Sequence, residues 1–147
     1  MKQREIIELV RNDIIEHPPV QWIGQVSSSP QDYGIFWRFE VLGDEMMSAV
    51  IPESIEWQRV RGAEPVRIHE VDVVIFGKNK TIETIAGIMD GLEELAERFM
   101  NDGGPIEELE CIGAGTIDAA RAGYDQSRVK KTAEPFLAGI RLTFRVY

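Results

Sequence analysis

The side chains of this sequence that could carry out bond-making chemistry are few, and their spacing keeps them apart. There are two histidines and one cysteine. A Ser-His-Asp triad or a zinc site would have to be built around His17 or His69. His17 stands before Pro18-Pro19 at the end of a helical pattern, and His69 lies within an alternating strand pattern. In His69-Glu70-Val71-Asp72 the period of two puts the imidazole on the opposite strand face from both carboxylates, which argues against a shared metal. Both histidines are therefore expected to be structural or solvent-facing, and no metal is expected. Cys111 follows Glu110 in a segment that reads as strand. An acidic neighbour raises a thiol pKa and lowers the thiolate fraction near neutral pH, so Cys111 is expected to be a small buried side chain rather than a nucleophile.

Two glycine-containing turns invite a phosphate. Gly77-Lys78-Asn79-Lys80-Thr81 lies between a predicted strand and a predicted helix, where amides at the helix start and two lysines could hold an anion. A P-loop needs glycine directly before its Lys-Thr pair, and here Asn79 stands before Lys80-Thr81. The plain expectation is a turn and helix cap with solvated lysines. The alternative is an anion site at Gly77, Lys78, Lys80 and Thr81 in a small ligand-binding or enzymatic α+β domain. Gly113-Ala114-Gly115 is followed by no helix of apolar periodicity, so it reads as the base of a flexible loop. The carboxylate pairs Glu93-Glu94 and Glu107-Glu108 are chain neighbours whose side chains diverge, as on solvated faces.

Charge is the one uneven feature. The chain of 147 residues has a formal charge of −9. Residues 1–120 carry 10 basic and 23 acidic side chains, whereas residues 121–147 carry Arg121, Arg128, Lys130, Lys131, Arg141 and Arg145 against Asp125 and Glu134. Nucleic acid is a poor partner for this basic end, because the acidic bulk repels phosphates and only Tyr124 lies among the charges. Another copy of the same acidic chain suits it better. A positive loop meeting a negative helix face on the next subunit makes a head-to-tail contact, which closes into a ring when the rotation allows. Arg121, Arg128, Lys130 and Lys131 are the residues expected at that interface. A loop longer than about 15 residues in an ordered domain tends to have such a task, although a merely solvated loop stays open beside it.

The elements that must position these residues follow from periodicity. The length suits one domain with a real core, and a lone cysteine excludes an internal disulfide and fits a reducing, cytosolic compartment. No apolar run approaches the ~20 residues of a membrane span, and MKQREIIELVRND lacks the apolar stretch of a signal peptide. Ile6, Leu9, Val10 and Ile14 predict a first helix over 2–16, ended by His17-Pro18-Pro19. Val20 to Tyr33 reads as loop. A strand is predicted from Gly34 to Leu42 by its alternation, and 46–61 is ambiguous because Pro52 splits a long strand or confines it to an edge. Residues 66–76 predict a strand with Val71, Val73 and Ile75 on one face and Glu70 and Asp72 on the other until Val74 and Phe76 take over, half covered at one end and fully covered at the other. Ile82, Ile85, Ile88, Leu92, Leu95 and Phe99 predict a helix over 81–100, capped by Thr81 and stopped at Asn101–Pro105. A strand over about 106–112, a loop over about 113–135 and a cleanly alternating closing strand over 136–147 complete the chain. The whole predicts a single α+β domain over 1–147, with two main helices on one face of a mainly antiparallel sheet, a mixed sheet being left open.

That order resembles the tail terminator and tail-completion proteins of long-tailed bacteriophages. The resemblance is carried by the amphipathic first helix, the strand ending in IHEVDVVIFGKN, the helix TIETIAGIMDGLEELAERF and the terminal strand GIRLTFRVY. Residues 66–100 look like that family's strand and long helix, and 136–147 like its closing strand; residues 20–61 match nothing in it. The resemblance implies a non-enzymatic structural protein of the virion tail and neck, made in the bacterial host cytoplasm. It implies a ring, commonly hexameric, that caps the tail tube and offers a surface to a head-completion or connector protein. No cofactor and no catalytic residue are implied, and negative charge on the inner surface would discourage passing DNA from sticking.

Overall fold

The computed structural model describes residues 1–20, 31–33, 36–40, 46–77, 82–101, 104–117 and 136–147. Its elements are helix α1 (Gln3–Glu16), strands β1 (Gln31–Tyr33), β2 (Phe36–Glu40), β3 (Met46–Gln58) and β4 (Val66–Gly77), helix α2 (Ile82–Met100), and strands β5 (Glu110–Ile117) and β6 (Phe136–Val146). The strands form one sheet in the order β1-β2-β3-β4-β6-β5, each antiparallel to its neighbour. β4 and β5 therefore run parallel to each other on either side of β6, with α2 connecting them. The molecule is α+β, with both helices on one face of an antiparallel sheet.

The helices form where the apolar spacing predicts them. Ile6, Ile7, Val10 and Ile14 of α1 are buried, and Ile88, Leu92, Leu95 and Phe99 of α2 recur every three or four residues with at most 2% exposure. Each such side chain taken from water contributes about 1.5–3 kcal/mol, which is what holds a helix of this length in place. They share one core with Val71, Val73 and Ile75 of β4 and with Ile140, Leu142, Phe144 and Val146 of β6. Phe99 meets Phe144 edge-on, the ring centroids 5.9 Å apart. Gly104 ends the α2 connection with φ +103°, its N–H donating to the Asn101 carbonyl at 2.9 Å. A Cβ there would lie 2.9 Å from the Phe99 carbonyl oxygen, so glycine is required.

Several sequence expectations need correction. Gln31–Tyr33, read as loop, pairs with β2. Gly113-Ala114-Gly115 is not the base of a loop but lies inside β5, paired with Thr143, Leu142 and Arg141. β5 accordingly starts and ends later than the strand predicted over about 106–112. Pro52 does not split β3. β2 registers with β3 only as far as Val50, so beyond that residue β3 has β4 as its one neighbour among the described residues. Proline, which has no N–H to donate, is tolerated on such a locally open strand. The register shifts between Pro52 and Ser54, leaving Glu53 as the extra residue of a bulge.

Candidate functional site

The strongest polar constellation sits on the sheet face away from the helices, and periodicity alone did not reveal it. Odd-numbered residues of β4 enter the core beneath the helices, which leaves Glu70 and Asp72 on the opposite face. Asp72 lies directly across from Arg141 of β6. The Arg141 guanidinium donates through Nε to Asp72 Oδ1 at 2.8 Å and through Nη2 to Oδ2 at 2.9 Å, a bidentate fork. The same guanidinium lies 3.3 Å from Glu70 and 3.8 Å from Glu53, the bulge residue of β3. Three neighbouring strands are thus clasped by one cation. Asp72 is fully buried, and Val74 and Ile51 on the same face nearly so, which agrees with a strand fully covered at its Val74 end and extends that cover to Asp72. The hydrogen bonds to Asp72 hold the Arg141 proton more tightly than in a free arginine, outweighing the effect of desolvation, with Glu70 and Glu53 adding to it.

Chemically, the fork occupies both Asp72 oxygens as acceptors, which suits a clamp better than a general base. Charge pairs of this kind hold strand register: a slip of one residue would move Arg141 to the other face.

On the helix side, His69 is buried with neither ring nitrogen hydrogen-bonded. Burial lowers its pKa, with Arg67 and the amino terminus adding to the effect, so the ring is held neutral. His69 thus proves to be a core residue, on the face opposite Glu70 and Asp72 as its spacing requires. Cys111 is buried beneath α2, its Sγ 3.9 Å from Met100 Sδ and donating to the Gly113 carbonyl at 3.4 Å. Its pKa is raised as expected, but the first cause is burial, not its acidic neighbour. His17 is exposed at the end of α1, and its carbonyl accepts from Arg98. Arg98 also pairs with Asp13 at 2.6 Å, tying α2 to α1. Burial raises the Asp13 pKa, outweighing the opposing pull of Arg98.

The carboxylate pairs split in their environments. Glu93, Glu107 and Glu108 are exposed, whereas Glu94 is half-buried and accepts from the Val20 N–H at 2.7 Å. Of the possible anion turn, Gly77 ends β4, and Lys78, Lys80 and Thr81 lie outside the described residues. The expected interface residues Arg121, Arg128, Lys130 and Lys131 also lie outside them. Among the described residues no cluster of three or more His, Cys, Asp or Glu is placed to hold a metal ion, and no helix is long and apolar enough to cross a membrane. Comparisons with known protein families, with curated proteins and with solved structures find no match for this chain.

Proposed function

We propose that this chain is a non-enzymatic subunit of long-tailed phage tails, one that assembles into a ring, caps the tail tube and joins it to the head. The observation that carries the proposal is the way its two resembling segments come together. Residues 66–100 and 136–147, far apart in sequence, form one unit in which β4 and β6 pair without a break from Arg67↔Val146 to Gly77↔Phe136, and α2 packs over β6 and its neighbour β5 while sharing one core with β4. Two further features favour a building block. Its central polar cluster is a strand clasp, and its buried imidazole and thiol are closed off from solvent. Its partners on this reading are other copies of itself, the tail tube protein and a head-completion or connector protein.

Light scattering of the purified chain, alone and with isolated tail tubes, tests the proposal. A discrete multimer, or one formed on tubes, is expected. A monomer indifferent to tubes refutes it, as does a turnover assay in which one substitution abolishes substrate conversion. The basic segment is addressed by Lys130→Glu/Lys131→Glu. If those lysines bridge subunits, the reversal weakens association more at low salt than at high salt, since a Debye length of about 10 Å at 0.1 M already screens exposed charges. Equal association at every ionic strength removes those lysines from the interface.

A further inference from the structure

Six large apolar side chains stand most open to solvent among the described residues, and four of them gather in two places. Trp57 and Val60, 62% and 41% exposed, lie at the tip of the β3–β4 hairpin. Met89 and Met100, 42% and 46% exposed, lie on the outer side of α2. The two places differ in the charge beside their apolar side chains: at the tip two arginines flank Val60, with Glu56 and Glu64 on either side of them, whereas the α2 stripe is acidic. Val60 is flanked by Arg59 and Arg61, both exposed, with Glu64 beyond the turn that the Ala63 N–H closes on the Val60 carbonyl. Between Met89 and Met100 the exposed residues Asp90, Glu93 and Glu97 follow the same helical stripe, because steps of three and four residues return to one face.

We propose that the β3–β4 hairpin tip of one copy docks on the outer stripe of α2 of a second copy, Trp57 and Val60 covering Met89 and Met100 while Arg59 and Arg61 meet Asp90, Glu93 and Glu97. This rests on the ring reading above and specifies its subunit contact. A second copy is the occupant because a single chain supplies both halves, each with an apolar centre, arginines on either side of Val60 in one and carboxylates between the methionines in the other. Such a border favours the right register and penalises helix-on-helix pairing, where carboxylates would meet. Sizes agree as well. The stripe from Met89 to Met100 is about 16 Å long at 1.5 Å per residue, and a two-stranded tip with strands about 4.8 Å apart fits along it with its side chains. Because the two surfaces are different patches of the molecule, the contact is heterologous, the kind that propagates from copy to copy and closes into a ring when the rotation allows. An exposed tryptophan beside arginines is also the composition that dominates the centres of protein interfaces.

A pair of charge reversals tests the contact by sedimentation velocity on the full chain. Arg59→Glu/Arg61→Glu and Glu93→Lys/Glu97→Lys alter exposed residues only. Each alone sets like charges against each other at every joint and is expected to weaken self-association by about tenfold or more at low salt, and less at 0.5 M. Mixed together, the two variants restore opposite charges at every alternating joint, so association recovers. Trp57→Ala weakens association at both salt concentrations, since the loss is of apolar contact. Recovery on mixing supports the contact, and wild-type association in both reversals overturns it. Loss of binding to a labelled DNA duplex on Arg59→Glu/Arg61→Glu, with association unchanged, also overturns it and assigns the tip to nucleic acid. Failure of the contact and of the ring reading are distinguishable. Multimers that cap tubes yet ignore the reversals refute only the contact. Association that follows the reversals without any binding to tubes refutes only the tail function. A wild-type chain that stays monomeric with and without tubes refutes both.

Discussion

Replacing Arg141 by methionine is the sharpest perturbation of the sheet, because it keeps an unbranched apolar stem while removing the cation that touches Asp72, Glu70 and Glu53 together. Asp72 is fully buried, and breaking a buried ion pair by deleting one partner costs about 3–5 kcal/mol. The Arg141 side chain is about one-third exposed, so water can reach the gap it leaves, and the lower end of that range, about 3 kcal/mol, applies. For a chain of this size that is a fall in Tm of about 10 °C. Urea unfolding followed by far-UV circular dichroism measures the difference directly. The decisive arm is the double variant Asp72→Asn/Arg141→Met, in which the stranded charge is gone. It should recover about 1.5 kcal/mol or more relative to the sum of the single variants, the size of coupling that contacting groups show. A cost for Arg141→Met below about 0.5 kcal/mol, the range of ordinary surface changes, would refute the clasp as a structural element. Strict additivity of the two substitutions would refute the pairing itself.

Other outcomes concern the buried groups. His69→Phe removes two unsatisfied buried nitrogens, each of the kind that costs about 1–3 kcal/mol, so the variant should be no less stable than wild type near neutral pH. The folded His69 pKa lies below the ordinary 6.5, so on acidification the unfolded chain takes up the proton first. Wild-type stability is therefore full above pH 6.5 and falls as pH drops from there toward the folded value, by up to about 1.4 kcal/mol per pH unit; in His69→Phe this contribution disappears, as denaturation at several pH values will measure. A slope from 6.5 downward that survives the substitution belongs to other groups. Cys111, buried and with a raised pKa, should react with a thiol reagent only slowly in native buffer and rapidly in denaturant; equal rates would place the thiol at the surface. Gly139→Ala sets a Cβ 2.8 Å from the Val73 carbonyl oxygen and 3.1 Å from two Ile117 side-chain carbons, and should cost about 1–3 kcal/mol by overpacking, read by the same urea titration.

What the sequence made legible was whatever repeats at short range. α1, α2, β4 and β6 each carry one uninterrupted period, and their observed limits agree with prediction to within a residue or two. β3 was illegible because its pattern changes phase. Val50 and Pro52 face the helices, but after the extra residue Glu53 it is Ile55 and Trp57 that pair with His69 and Arg67 on that same face. A window spanning 46–61 therefore sums two strand patterns half a period apart and sees neither. The second half of β5 was hidden by Gly113 and Gly115, residues that mark turns far more often than strands. The clasp was beyond reach for a different reason. Asp72 and Arg141 are separated by 69 residues, and nothing local to either predicts the register that sets them opposite one another. For His69 the face was readable and the lack of hydrogen-bond partners was not, since that depends on what packs above it.

The bulge links the buried clasp to the exposed hairpin. An extra residue in one strand sharpens its twist and redirects the residues beyond it, which in β3 are those leading to Trp57. Glu53, the inserted residue, is also the side chain by which β3 reaches Arg141. One residue thus performs two tasks: its backbone shifts the phase that turns Trp57 to the helix side of the sheet, and its carboxylate fastens that shift to β4 and β6. A strong ion cluster at the centre of a sheet invites a catalytic reading, yet both Asp72 oxygens are taken up by Arg141, and the cluster fastens the two strands of the β3–β4 hairpin arm to β6. If the arm carries the subunit contact, the clasp acts on assembly only through the arm's direction. Substitutions at Arg141 should then alter association in proportion to the stability they remove, whereas Arg59→Glu/Arg61→Glu should alter association and leave stability unchanged.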